Sequence, residues 1–185
     1  DISYSRYYEE IICLGEALLF RGFSNTRIVI IGKNSYNWYL ANMATLLTGN
    51  ITVPLDKELK YDEFETSLVR SEAEVIFYDD NEAESVAKAI ATGKTRIKAA
   101  FPMFKASDQT DIYDLTVEGR ELVDGGSRKY DDVVINPDAM SFMIFTSGTT
   151  SQSKIVMLSQ RNVASNVVNT IASEPIYDTD VNISL

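Results

Sequence analysis

Ile28-Val29-Ile30-Ile31 is a run of four apolar residues with no polar side chain on either alternation, and it constrains the fold more than any other stretch. A strand with one wet face alternates. A continuous run needs cover on both faces, the situation of a parallel strand between helical layers. Shorter runs recur at residues 51–53, closed by Pro54, and at residues 75–78, with a further strand expected at 97–100.

Helical patterns separate these runs. Tyr8, Ile11, Ile12, Gly15, Leu18 and Leu19 recur at helical spacing, and Gly22 ends that helix. Asn34-Ser35 offers a cap for a helix through Trp38, Ala41 and Leu47, stopped at Gly49. Phe64 and Leu68 mark a third helix, residues 82–91 a fourth, and 112–122 a fifth that ends before Gly125-Gly126. Strand, helix and strand in this order predict right-handed crossovers. The expected fold class is α/β, a layered α/β/α sandwich with a mostly parallel sheet.

A chain of 185 residues suits one domain with a real core. Its formal charge of −10 argues against a nucleic-acid or anionic-membrane surface, which needs a basic patch. With no histidine and one cysteine, imidazole catalysis, an internal disulfide and a cysteine-based zinc site are excluded within the chain. Cys13, among Ile11, Ile12 and Leu14, reads as a core residue. No apolar run reaches membrane-spanning length and no signal peptide opens the chain, so a cytoplasmic protein is expected. Asp131-Asp132 and the acidic group Glu72, Glu74, Asp79, Asp80, Glu82 and Glu84 read as solvated surface. Tyr7, Tyr8, Trp38 and Tyr39 read as core packing.

Residues 145–154, Phe-Thr-Ser-Gly-Thr-Thr-Ser-Gln-Ser-Lys, carry the chemistry. An apolar run (Met140, Phe142, Met143, Ile144, Phe145) opens onto Thr146, Ser147, Thr149, Thr150, Ser151 and Ser153, and residues 139–153 hold no charge. These hydroxyls surround Gly148, whose missing Cβ permits a tight turn and close ligand approach. Lys154 adds one mobile positive charge, and a second β-like run follows at 155–158. A concave turn of N–H and hydroxyl donors binds anions. The Walker loop fails on spacing and context, since Ser153 precedes Lys154, Ile155 follows it, and no helix comes next. On residue types alone, a phosphate loop and an ordinary hairpin turn both fit. Beyond it, Ser159 can cap a helix with Val163, Val167, Val168 and Ile171 as its buried stripe.

The stretch from Thr146 to Lys154, followed by Val156-Met157-Leu158-Ser159-Gln160-Arg161-Asn162, resembles the signature of the AMP-forming adenylating enzymes. Its usual form reads T-S-G-T-T-G-x-P-K-G-V, then S-H-x-N. Here Ser151 stands for Gly, Ser153 for Pro, Ile155 for Gly and Gln160 for His. Residues 27–39, 46–55 and 75–79 are similar to further family segments, so the likeness runs from about Tyr4 to Val181.

The resemblance implies that residues 1–185 form the amino-terminal part of an adenylation domain, without its carboxy-terminal lid domain. It also implies a two-step reaction with ATP, Mg2+, a carboxylic acid and CoA. Thr146, Ser147, Gly148, Thr149, Thr150 and Ser151 would grip the ATP phosphates, with Lys154 as supporting cation. The family's magnesium-holding glutamate, its ribose-binding aspartate and its catalytic lysine would lie beyond this chain. Long-chain fatty acid–CoA ligases are the subfamily most resembled. The alternatives are an adenylation domain loading an aryl or amino acid onto a carrier protein, and a non-catalytic binding or assembly remnant. Self-association through the truncated face is expected.

Overall fold

The computed structural model describes residues 1–146, 153–177 and 179–180. In chain order the elements are α1 (Tyr4–Phe20), β1 (Arg27–Ile31), α2 (Tyr36–Leu47), β2 (Ile51–Leu55), α3 (Tyr61–Ser71) and β3 (Val75–Tyr78). There follow α4 (Ala83–Ala91), β4 (Ala99–Pro102), α5 (Ile112–Asp124), β5 (Met140–Thr146), β6 (Lys154–Ser159) and α6 (Gln160–Ser173). The sheet order is β4-β3-β1-β2-β5-β6, parallel except for the antiparallel β5–β6 pair.

β1 lies at the centre, and the helices cover both of its faces. Ile28 and Ile30 point into one cluster with Leu14 and Leu18 of α1, Leu40 and Ala44 of α2, and Ile112 and Leu115 of α5. Val29 and Ile31 point into the other, with Phe64 and Leu68 of α3 and Val86 and Ala89 of α4. The two clusters make the three-layer α/β/α arrangement that the continuous run predicts.

Local chemistry sets the helix ends. Ser35 caps α2 through an N–H bond from Trp38 at 3.2 Å. Gly22 and Gly126, both at positive φ, close α1 and α5. Their following residues complete the caps by bonding back into the last turn, Phe23 N–H to Leu18 O at 2.9 Å and Ser127 N–H to Leu122 O at 2.9 Å. α1 is wedged between α2 and α5 by two glycines. Gly15 faces Thr48 past the end of α2, and Gly119 of α5 lies directly on the backbone of Cys13, which is buried as expected.

Several sequence expectations need correction. β2 does not close at Pro54 but runs through it to Leu55. Its ladder to β5 holds only the pair Thr52–Phe142, so a residue without an N–H is tolerated where one neighbour remains. The fourth strand begins at Ala99 rather than Ile97, because register with Val75 fixes its start. Tyr8 and Tyr39 are exposed, while Tyr7 and Trp38 are half-buried. Among the six acidic residues Glu72, Glu74 and Asp80 also carry ion pairs at the surface. Glu72 bridges Arg27 at 2.7 Å and Arg96 at 3.2 Å, and Glu74 pairs with Lys98 at 2.7 Å. Glu82 has one buried oxygen without a partner among the described residues, and burial with Asp79 beside it raises its carboxyl above the usual range.

The largest correction concerns α6. Ser159 does cap it, in a capping box with Asn162, but none of its residues is buried. Val167, Val168 and Ile171 are exposed, Val168 at 66%. The apolar stripe exists, and nothing among the described residues covers it.

Candidate functional site

β5 runs parallel to β2, so its Thr146 end lies at the carboxyl edge of the parallel strands, with Leu55 and Ile31. Open α/β sheets bind ligands along that edge. β5 and β6 pair antiparallel from Met140–Ser159 up to Thr146–Lys154. The hydroxyl-rich segment is therefore the connection of a hairpin whose last paired residues are Thr146 and Lys154. Ser147, Gly148, Thr149, Thr150 and Ser151 lie outside the described residues.

The two described members of the expected site face each other across the ladder. Thr146 Oγ1 reaches Lys154 O at 3.5 Å, the long limit of a hydrogen bond, so this donor gives up little by turning to a ligand. Lys154 is exposed and has no ion-pair partner among the described residues. The base of the hairpin thus presents one weakly engaged hydroxyl and one unneutralised ammonium.

The rest of the hairpin is tied to the body of the fold. Phe145 and Ile155 pack against the cluster built on α3 and α4. Arg70 of α3 donates from Nη1 to Ser153 O at 2.7 Å, and its guanidinium sits 5.6 Å from the Phe145 ring centre. On the far side, Gln160 donates to Leu46 O at 3.2 Å and is thereby turned onto the end of α2. Arg161 pairs with Asp138 at 2.5 and 3.0 Å and holds that carboxyl below its usual range. Sequence reasoning missed Arg70. Its target lies 83 residues away, and nothing local distinguishes it from a solvated arginine on a helix.

Among the described residues no group of three or more histidine, cysteine, aspartate or glutamate side chains is placed to hold a metal ion. No helix there is long and apolar enough to cross a membrane.

The profile of one family, AMP-binding enzyme, matches residues 1–184. The chain belongs to the AMP-binding enzymes. This AMP-binding chain is 26% identical over 199 residues to long-chain-fatty-acid–CoA ligase 5 of Mus musculus, covering 99% of the chain and 29% of the ligase. It is 25% identical over 187 residues to 4-hydroxybutyrate–CoA ligase 2 of Metallosphaera sedula, covering 97% and 33%. A crystal structure of a long-chain-fatty-acid–CoA ligase from Archaeoglobus fulgidus superposes with a TM-score of 0.81 at 18% identity, over 96% of this chain and 34% of that one. ATP-bound MatB from Rhodopseudomonas palustris superposes with a TM-score of 0.72 at 20% identity, over 92% and 32%. The structural likeness establishes the fold, that of the amino-terminal subdomain of adenylate-forming enzymes. The chain spans about a third of the length of the curated relatives it matches, 29% and 33% for these two.

Proposed function

We propose that residues 1–185 are the amino-terminal part of the adenylation domain of an AMP-forming acyl-CoA synthetase, acting in the cytoplasm on a fatty acid. The observation that carries this proposal is the family match across the chain. The relatives' names, which are CoA ligases acting on fatty or hydroxy acids, support the acceptor and the substrate class. An ATP-bound structural neighbour supports the nucleotide.

In the first step the substrate carboxylate attacks the α-phosphorus of ATP and pyrophosphate leaves. In the second the CoA thiol takes the acyl group from the adenylate and AMP departs. The attacking carboxylate is already ionised near neutral pH, so the first step needs no protein base. It needs stabilisation of the charge that builds on the leaving pyrophosphate. Thr146, Ser147, Thr149, Thr150 and Ser151 supply hydroxyl donors to the β- and γ-phosphates. Gly148 lets the backbone approach, and Lys154 adds a cation at the hairpin's base. Among the described residues no group of three or more carboxylates is placed to hold magnesium.

The purified 185-residue chain is expected to catalyse no fatty-acid-dependent exchange of pyrophosphate into ATP, since ribose and catalytic-lysine contacts are not among its assigned residues. A complete protein carrying this segment is expected to catalyse it with some carboxylic acid. Exchange by the chain alone would refute its inactivity, and none by the complete protein with any acid would refute the ligase assignment.

We also propose that a second copy of the chain covers the α6 face. Among the described residues β6 is the last strand in the sheet order, and the stripe of Val167, Val168 and Ile171 on α6 is exposed. An open edge beside an apolar patch favours association, despite the charge of −10. Light scattering over a concentration series is expected to show a mass rising above 20.7 kDa. A constant monomer mass would exclude it.

A further inference from the structure

The helical layer opposite the one that Phe145 and Ile155 pack against carries a cleft of about 480 Å³. It lies between the first two turns of α1, the start of α2 and the face of α5 that bears Tyr113, Val117 and Arg120. Clefts of this size hold small molecules. α2 follows β1 and α5 follows β4, so the cleft opens at the carboxyl edge of the parallel strands, where open α/β sheets take ligands. Leu40 and Ile112, both buried, give it an apolar base. Its charged side chains are Arg6, Glu10 and Arg120, one net positive charge in a chain of −10.

Hydrogen bonds within the wall engage its carboxylate and leave donors over. Glu10 accepts from Arg6 Nε at 2.8 Å on one oxygen and from the Tyr36 hydroxyl at 2.8 Å on the other. Burial would raise this carboxyl, but those two bonds outweigh it and hold Glu10 below the usual range, so it stays ionised and neutralises Arg6. Asn37 donates to Met103 O at 2.6 Å and to the Tyr113 hydroxyl oxygen at 2.7 Å, and Tyr113 keeps its own O–H to donate. Arg120 is exposed, has no ion-pair partner among the described residues, and acts on Glu10 only through space. We infer that this cleft binds a small monocarboxylate with an apolar body. Arg120 and the Tyr113 hydroxyl hold the anion, and the body lies against Leu40 and Ile112. The guanidinium fork matches the two oxygens of a carboxylate. None of these residues belongs to the hairpin, so the cleft's ligand does not depend on how ATP is held.

Titration of the purified chain with 2-naphthylacetate, followed by backbone amide chemical shifts, tests this site. Saturable binding is expected, with the largest shifts on α5 and at the start of α2. The neutral amide of the same acid should bind at least about tenfold more weakly, because it gives up a charge-assisted bond. Arg120→Gln should weaken the acid about tenfold and leave the neutral amide unchanged. Val117→Trp, which fills the cleft from an exposed position on α5, should abolish binding of both. Circular dichroism confirms that each variant is folded. Equal affinity for acid and amide would overturn the anion assignment, as would an acid affinity that Arg120→Gln leaves unchanged. That first comparison uses the wild-type chain, so it decides even where a substitution unfolds the protein. Absence of saturable binding, or shifts that fall on other elements, would overturn the site itself.

Discussion

Replacing Thr149 and Thr150 together by valine is expected to lower acyl adenylation by roughly two to four powers of ten in a complete protein carrying this segment. Valine keeps the branched shape and removes the hydroxyl, so the turn should survive while two donors to phosphate are lost. Each hydrogen bond to a charged group contributes about 1.5–3 kcal/mol. Two contribute about 3–6 kcal/mol, and each 1.36 kcal/mol is about a factor of ten in rate. The loss should fall on kcat/KM for ATP, because the charge being stabilised is greatest as pyrophosphate departs. Lys154→Ala should cost less, since an exposed ammonium acts through screened solvent. Unchanged kinetics in the double variant, with normal thermal stability, would remove the phosphate-loop assignment.

Much of the fold was legible because its strands are covered on both sides. Four apolar residues in succession at 28–31 leave no face for water, and that alone implies helices above and below. Register was not legible. β4 carries only alanines at its start, and its position follows from pairing with β3, a contact between residues 24 apart. The α6 stripe shows the opposite limit. Periodicity reports that a helix has an apolar face and says nothing of whether a partner stands against it. Glu16 shows a third. It is fully buried inside α1, where it accepts bonds from the N–H groups of Lys129 and Tyr130 and from the Ser127 hydroxyl. Those donors lie more than a hundred residues away, so the helix's own pattern carries no trace of them.

The site was legible where its chemistry is local. Two apolar runs either side of a polar stretch specify two strands, and β5 and β6 pair as far as Thr146 and Lys154. Its anchoring was not legible, because Arg70, Leu46 and Asp138 meet the hairpin or α6 only through tertiary contact. The four departures from the usual signature gain a partial physical account. Gln160 finds a backbone partner at the end of α2, and Ser153 is held through its carbonyl. Nothing in the structure explains Ile155 in place of glycine beyond its packing beside Phe145.

Gly119→Ala is expected to lower the stability of the chain by at least about 3 kcal/mol, the upper part of the range for overpacking a core. A Cβ at this position would sit 1.7 Å from the Cys13 carbonyl oxygen and 2.4 Å from its carbon. An ordinary non-bonded contact is about 3.5 Å, so α5 and α1 must part along their interface. The obstacle is helix backbone, which cannot rotate away as a side-chain tip can. Parting would also loosen Leu14, Leu18, Ile112 and Leu115, all fully buried against β1. For a chain of this size, that loss corresponds to a fall in melting temperature of about 6–12 °C. Gly126→Ala makes the control. That glycine has φ +94 and nothing within 4 Å of its missing Cβ, so alanine there meets backbone strain alone, about 1–2 kcal/mol. Calorimetry on both variants should place Gly119→Ala well below Gly126→Ala. Equal melting temperatures would mean that the two helices do not approach through Gly119 as closely as described.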